Sequence, residues 1–371
     1  MNNRTQTLSI NYPKETGFTK TDIYIQNDEC DLVSKYLTEE NNIKRLFVTD
    51  STIAKLESVK AFLSKIDSNK NENDFYIVLS AGEKYKTIEN VLAIVQKALE
   101  NNFNRNSLFI GIGGGVICDM TAFAASIFKR GIKVDFVTST LLADVDASLG
   151  GKTGCDFCSY KNMIGTFWPA ENITIYPEFI KSLPEKEFLS GLAESIKTAA
   201  LFSKDLTQFI IENKDKIIAR DLTVMTKIIE ECAKQKARTV ENDFREKNIR
   251  AFLNLGHTFG HALESVAGLG TITHGEAVAW GIERANALGE MLGITSKETH
   301  EKIKAILESF GYDTKPLASV LDGIDDVKTK LLNAMHKDKK NNSSVIKIIY
   351  LKEIASPVIL DTKDSDILKV F

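Results

Sequence analysis

Three of the five histidines are placed where they could bind a metal ion. His257 and His261 stand four apart in Asn254-Leu-Gly-His-Thr-Phe-Gly-His, and His274 opens His-Gly-Glu-Ala-Val. A helix repeats about every 3.6 residues, so a step of four sets His257 and His261 on one face, aimed at one volume. The glycines of Ala267-Gly-Leu-Gly-Thr-Ile-Thr allow a tight reversal that returns His274 toward them. Convergent imidazoles suit a zinc-like ion, and the same spacing also fits a polar core or a solvated surface. Upstream, Glu194 and Lys197 of Gly191-Leu-Ala-Glu-Ser-Ile-Lys lie three apart on one helical face. They are either a surface ion pair or a set in which the carboxylate is a hard oxygen ligand. Lys236, Glu246, Arg250 and Asn254 recur just ahead of the histidines.

A second kind of chemistry is carried by Ile110-Gly-Ile-Gly-Gly-Gly-Val-Ile-Cys-Asp119, which follows an apolar run and precedes a helical pattern. Glycines at a strand-to-helix junction let the backbone approach a pyrophosphate, and the N–H groups of the next helix favour its charge. The spacing is not the usual GxGxxG, and a tight turn alone would also explain it. Asp50 ends an earlier strand, where a carboxylate suits ribose hydroxyls, and Gly82-Glu-Lys-Tyr-Lys86 follows the next. Ligands of open parallel sheets collect at the carboxyl ends of strands, so the three features together point to a dinucleotide. The segment Thr138-Ser-Thr-Leu-Leu-Ala-Asp-Val-Asp146-Ala-Ser-Leu-Gly-Gly-Lys152-Thr-Gly, with Lys161-Asn162 beyond it, reads as a functional loop. Its lysines and asparagine are donors for a phosphate or a polyhydroxylated sugar.

The elements that must hold these residues fall into two blocks. Arg45-Leu-Phe-Val-Thr-Asp, Asp74-Phe-Tyr-Ile-Val-Leu, Ser107-Leu-Phe-Ile-Gly-Ile, Val134-Asp-Phe-Val-Thr and Asn172-Ile-Thr-Ile-Tyr read as strands, most of them apolar on both faces. Helical patterns such as Ile88 to Asn101 alternate with them. The expected fold class is α/β: an N-terminal doubly wound, Rossmann-like parallel sheet domain, residues 1–184, followed by an all-helical C-terminal domain, residues 185–371. The late run Val345-Ile-Lys-Ile-Ile-Tyr-Leu is the one candidate there for a strand or hairpin.

With 371 residues, 43% hydrophobic and 26% charged, the chain has the composition of a globular protein with material for two cores. A net charge of -3 and the lack of a basic tract argue against a nucleic-acid partner. No apolar run reaches signal-peptide or membrane-span length, so a membrane is not expected and the expected location is cytoplasmic. Five cysteines suit reduced thiols in such a compartment. Cys155-x-x-Cys158 has no second pair to make a zinc knuckle and does not open a helix as a thioredoxin-like motif would.

The ordered set Gly113-Gly-Gly-Val-Ile-Cys-Asp119, Arg130-Gly, Thr140-Leu-Leu-Ala-x-Val-Asp146, Gly150-Gly-Lys-Thr-Gly, Lys161-Asn-Met-Ile-Gly, Gly191-Leu-Ala-Glu, Asn254-Leu-Gly-His-Thr-Phe-Gly-His and His274-Gly-Glu resembles the 3-dehydroquinate synthases, a family of sugar-phosphate cyclases. The resemblance implies NAD along the glycine loop, with Asp50, Glu83, Lys86, Gly114, Gly115, Asp119, Ser139, Thr140 and Lys161 at cofactor positions. It implies a divalent metal, zinc or cobalt, on Glu194, His257 and His274, with His261 turned to substrate; spacing alone would admit all three histidines as ligands. It further implies conversion of 3-deoxy-arabino-heptulosonate 7-phosphate into 3-dehydroquinate and phosphate by transient oxidation, phosphate elimination, re-reduction, ring opening and aldol closure. Lys152, Asn162, Asn254, His261 and, from a neighbouring subunit of a homodimer, Arg130 would meet the phosphate. Arg250 and Lys236 suit the substrate carboxylate, and Asp146, Lys197 and Glu246 suit hydroxyls and proton handling. One of Lys339 and Lys340 matches a further phosphate contact.

Ser139 stands where the family usually has the first of two threonines, and Tyr160 replaces a glycine ahead of Lys161. Asp243, Phe244 and Asn248 replace an acidic pair and glycine ahead of Arg250. Other sugar-phosphate cyclases share the mechanism, and polyol or iron-dependent alcohol dehydrogenases share the architecture. The latter would release NADH stoichiometrically, whereas a cyclase turns over on catalytic NAD. A third alternative, a non-catalytic metal- or nucleotide-binding relative, sits poorly with the retained Glu194, His257, His274 and Lys197.

Overall fold

The computed structural model describes residues 8–26, 42–68, 72–158, 160–268, 270–338 and 345–371. Cys30, Lys339 and Lys340 lie outside the described residues. The chain divides into two compact units, Met1–Leu183 with Lys236–Phe244, and Pro184–Gln235 with Arg245–Phe371.

The first unit is built on a seven-stranded sheet. Its strands are β1 (Leu8–Asn11), β2 (Lys20–Ile25), β3 (Arg45–Asp50), β4 (Asp74–Leu79), β5 (Leu108–Gly113), β6 (Lys133–Thr138) and, after the hairpin described below, β9 (Asn172–Ile175), in the order β1-β2-β9-β6-β5-β3-β4. Only β1 runs antiparallel to its neighbour. The parallel strands are apolar because helices cover both sheet faces. Phe47, Ile110, Ile112 and Val137 on one face pack with Phe62, Val59 and Ile66 of the helix Glu57–Ser68, and Phe47 meets Phe62 edge-on at 4.8 Å. Each such side chain contributes roughly 2–3 kcal/mol by leaving water. The chain passes from β3 out to β4 and then returns to lay β5 on the other side of β3. That reversal is the topological switch point of a doubly wound sheet, where ligands bind.

The segment read from sequence as a loop after Thr138 is more ordered than expected. Residues Ala143–Ala147 form one wide π-helical turn, and β7 (Lys152–Phe157) pairs with β8 (Tyr160–Phe167) as an antiparallel hairpin. Gly154 faces Gly165 across it, and a Cβ at either would strike the partner backbone. The polar, glycine-rich composition that suggested a loop is thus the requirement of a close-packed hairpin.

The second unit is helical, with Glu185–Phe202, His257–Ala267 and His274–Met291 packed together. It also carries the hairpin β10 (Val345–Glu353) and β11 (Ser356–Lys363), so an all-helical description is incomplete; β10 keeps its apolar residues buried. The helix Leu222–Asn242 contributes to both units. Its end lies in the first unit because Phe244, just beyond, packs against Tyr12 at 5.2 Å and Phe167 at 5.2 Å, and Asn11 donates to the carboxylate of Glu241.

Candidate active site

In the second unit, the reversal expected between His261 and His274 is made, and its chemistry is legible residue by residue. Gly256 takes the left-handed conformation at φ 81° and opens the helix at His257. Thr273 starts the next helix with a capping box: its hydroxyl accepts from the Glu276 N–H, and the Glu276 carboxylate accepts from the Thr273 N–H. Gly275 packs so tightly on Ser190 that no side chain fits, and its N–H donates to the Ser190 hydroxyl at 3.0 Å. His274-Gly-Glu is therefore one site residue followed by two structural ones.

Between the helices, the ring of His257 lies 5.3 Å from that of His261 and 5.2 Å from that of His274. Glu194, fully buried, places Oε1 3.8 Å from His257 Nε2 and 3.6 Å from His274 Nε2. The carbonyl of Leu255 lies 3.2 Å from His257 Nδ1 and can only accept, so Nδ1 carries the proton and Nε2 offers its lone pair. Burial, with the charges of Lys197, His274 and His261 behind it, holds His257 well below the usual histidine range and so neutral. The Lys197 ammonium, itself buried, pairs with Glu194 Oε2.

One oxygen and two nitrogens within 4.8 Å of one another form a set that fits a divalent cation. Ligand bonds of about 2.1 Å in a tetrahedron put donors roughly 3.4 Å apart, close to the two Glu194 separations. A second grouping, His261, Glu264 and His274, shares His274. Glu264 was not singled out by sequence reasoning; its signal is its position seven residues after His257 and three after His261, on the same helical face. Close by in sequence, Asn254 donates to Glu246, which sits at φ 57°, and Arg250 is buried on the short helix Ile249–Asn254.

In the first unit, four neighbouring strands present residues at their carboxyl ends. Asp50, ending β3, accepts from the N–H groups of Thr52 and Ile53 through one oxygen. After β4, the Lys86 ammonium is buried between Asp119, 2.6 Å away, and the side-chain oxygen of Asn162, also at 2.6 Å. Burial disfavours that charge, but Asp119, Glu83 and Asp156 outweigh it and raise Lys86 above its ordinary value. Burial in turn raises Asp119, opposed by Lys86. Asn162, read from sequence as a substrate donor, thus accepts from Lys86, read from sequence as a cofactor residue, and its backbone N–H donates to Asp156. Lys161 stands 4.0 Å from Glu83.

At the end of β5, Gly114 caps the helix Gly115–Ile127 without a side-chain cap hydrogen bond. A Cβ at Gly114 would meet Thr140 at 2.9 Å, and one at Gly115 would meet Ala147 at 3.1 Å. Beyond β6, Ser139 is buried and Thr140 accepts from the Ala143 N–H. Lys236 binds Asp146 at 2.5 Å, so that pair belongs to the first unit. Lys152 is exposed at the start of β7. Arg130 is exposed on a turn where Lys129, Arg130 and Gly131 all have positive φ.

Comparison with known proteins gives a consistent result. A family model described as 3-dehydroquinate synthase N-terminal matches residues 76–190, and one described as 3-dehydroquinate synthase C-terminal matches residues 191–341. The 3-dehydroquinate synthase of Thermodesulfovibrio yellowstonii is 37% identical over 336 residues, covering 90% of this chain and 91% of that protein. That of Campylobacter concisus is 37% identical over 344 residues, covering 91% and 95%. Among solved structures, a 2-epi-5-epi-valiolone synthase from Streptomyces hygroscopicus subsp. jinggangensis with NAD+ and Zn2+ bound superposes with a TM-score of 0.82 at 22% identity, covering 94% of this chain and 95% of that one. That likeness is one of fold.

Proposed function

The chain belongs to the 3-dehydroquinate synthase family, and from that premise we infer how its residues share the reaction. It is an enzyme that converts 3-deoxy-arabino-heptulosonate 7-phosphate into 3-dehydroquinate and phosphate, a step of aromatic amino-acid biosynthesis. The observation that carries the assignment of roles is the convergence of Glu194 Oε1, His257 Nε2 and His274 Nε2 in a chain of this family.

Those three residues would hold a divalent ion, zinc or cobalt, and Asp50, Glu83, Lys86, Gly114, Gly115, Asp119, Ser139, Thr140 and Lys161 would hold NAD. When bound, the ion polarises a carbinol oxygen, and NAD accepts and later returns a hydride, so no net redox change results. Lys197 keeps a cation against Glu194, ready to stabilise negative charge on substrate oxygen. His261, beside His257, and Asn254, held by Glu246, supply donors to the leaving phosphate. Arg250 offers a two-pronged contact to the substrate carboxylate. In the first unit, Lys152, exposed at the start of β7, serves phosphate, and the Lys236 and Asp146 pair serves substrate oxygens.

The test supplies the heptulosonate phosphate with sub-stoichiometric NAD and a divalent metal. Release of phosphate and dehydroquinate in equal amounts, many turnovers per NAD, abolished by chelation and restored by zinc or cobalt, is expected. NADH accumulating in step with product would instead identify a dehydrogenase.

We place a homodimer and the cytoplasm beside this reading. The strained, exposed turn at Arg130 suits an arginine offered to a second copy. Mixing Arg130→Ala with Glu194→Gln subunits should then regain up to about a quarter of wild-type activity, since a two-fold dimer rebuilds one intact site. No regain would remove the trans assignment. Among the described residues no helix is long and apolar enough to cross a membrane, and Cys118, Cys155 and Cys158 are free thiols, which suits a reducing compartment.

A further inference from the structure

We propose that Glu264 is a positioning residue for the metal, acting through His274. The inference rests on the reading of Glu194, His257 and His274 as ligands. His274 lies between two buried carboxylates from two different helices: Glu194 Oε1 is 3.6 Å from Nε2, and Glu264 Oε2 is 3.5 Å from Nδ1. His257 repeats the arrangement, with Nε2 toward Glu194 and Nδ1 on the Leu255 carbonyl. Both imidazoles therefore turn Nε2 toward the same carboxylate oxygen and Nδ1 toward an oxygen able to accept from it, at 3.2 Å for His257 and 3.5 Å for His274. Behind His257 that acceptor is a neutral carbonyl, and behind His274 it is a carboxylate.

An acceptor at Nδ1 pins the proton there, fixes the ring, and leaves Nε2 as the donor; an anionic acceptor also makes that donor more basic. The two ligands need different help. His257 and His274 each begin a helix whose start is locked, by the turn at Gly256 and by the Thr273 capping box, but the His257 side chain is only 14% exposed. That of His274 is 29% exposed, so less of its surroundings restrains it. The carboxylate stands behind the ligand that packing holds less.

Glu264 could instead be a direct ligand with His261 and His274, whose donor atoms also cluster. Metal titration separates the two. Metal-free wild type, Glu264→Gln, Glu264→Ala and Glu194→Gln are titrated with Co2+, reading the visible absorption of the bound ion and its competition with a chelator of known affinity. Glu264→Ala should keep one ion per chain with affinity weakened roughly 10- to 100-fold. Glu264→Gln keeps an oxygen that can face Nδ1 but carries no charge, and should weaken binding roughly 3- to 10-fold, with less change in the spectrum. This isosteric variant carries the test where the alanine variant fails to fold.

Wild-type affinity in both Glu264 variants, with Glu194→Gln strongly impaired, would overturn the proposal and leave the ligand set standing. Loss of the ion in Glu264→Gln as complete as in Glu194→Gln would overturn it in favour of direct ligation. Wild-type binding in Glu194→Gln would overturn the ligand set itself.

Discussion

The two units bury charge in opposite ways. In the first, Lys86 is enclosed by Asp119 and Asn162, and Lys236 by Asp146, so cations and anions are matched by the chain itself. In the second, the cluster holds two buried carboxylates, Glu194 and Glu264, one ammonium, Lys197, and imidazoles of which His257 is neutral. Oxygen and nitrogen donors there outnumber protein cations, the composition of a site whose partner is an ion. Matched pairs shape a surface for a cofactor, whereas an excess of convergent donors is chemistry for a Lewis acid.

Removing one charge from each unit should expose that difference. Glu194→Gln deletes an anionic donor, and activity measured as phosphate release should fall on the order of 1,000-fold or more, together with metal affinity. Stability of the metal-free protein should also fall, because the buried Lys197 ammonium loses the carboxylate it pairs with. Full metal content with full rate would show that the convergent cluster is not the metal site. Lys86→Met does the reverse: it strands the Asp119 carboxylate in a buried setting, costing about 3–5 kcal/mol in denaturant unfolding. Lys86→Met with Asp119→Leu should recover most of that stability while NAD binding stays impaired. A double variant no more stable than the single one would mean that Lys86 stabilises by packing rather than by charge.

How far the sequence foretold this differs between the two regions. Strands such as Arg45–Asp50 and Leu108–Gly113 were legible because both faces are apolar, a pattern that only a covered parallel sheet explains. The hairpin Lys152–Phe157 with Tyr160–Phe167 was not, because its close approach is made by glycines and its surface by polar residues. Nor was the allegiance of residues 236–244, since helical periodicity continues unbroken to Asn242 while the docking depends on Tyr12 and Phe167, far away in the chain. Spacing brought His257, His261 and His274 together but did not choose among them. Glu194 was legible beside Lys197 as either a surface ion pair or an oxygen ligand, and resemblance chose the second; Glu264 was missed because a glutamate on a helix reads as a solvated residue until its burial is known.

A second acid hidden in the same way offers a smaller test in the first unit. Asp144 is buried on the π-helical turn, and desolvation, opposed by a hydrogen bond from Thr138, pushes its pKa up to about 7 from 3.8. Between those values the unfolded chain has lost a proton that the folded protein keeps, so this group makes folding less favourable as pH rises from about 4 to 7. The shift corresponds to at most about 4 kcal/mol, at 1.36 kcal/mol per unit. Asp144→Asn should therefore gain stability over wild type progressively from pH 4 to 7, and the gain should level off above 7. A constant difference in Tm across that range would place the ionisation of Asp144 elsewhere.

The smallest expected effects come from glycines, and they too should differ between the regions. A Cβ at Gly260 would lie 2.8 Å from the Ala277 carbonyl, backbone that cannot rotate away, in the contact that brings the helix His257–Ala267 against His274–Met291. A Cβ at Gly114 would meet the Thr140 methyl at 2.9 Å, the end of a side chain. Overpacking costs about 1–3 kcal/mol and alanine returns about 1 kcal/mol as the better helix former, so Gly260→Ala should lose little or up to about 2 kcal/mol of stability. Its larger consequence is geometric. Pushing the helices apart by a few tenths of an ångström separates His257 from His274, and metal affinity should fall more than stability does. Gly114→Ala should leave metal affinity untouched and weaken NAD binding instead, through the space it takes at the helix start. Equal loss of metal affinity in both variants would mean that the donors of the second unit are set by global stability, not by the close contact at Gly260.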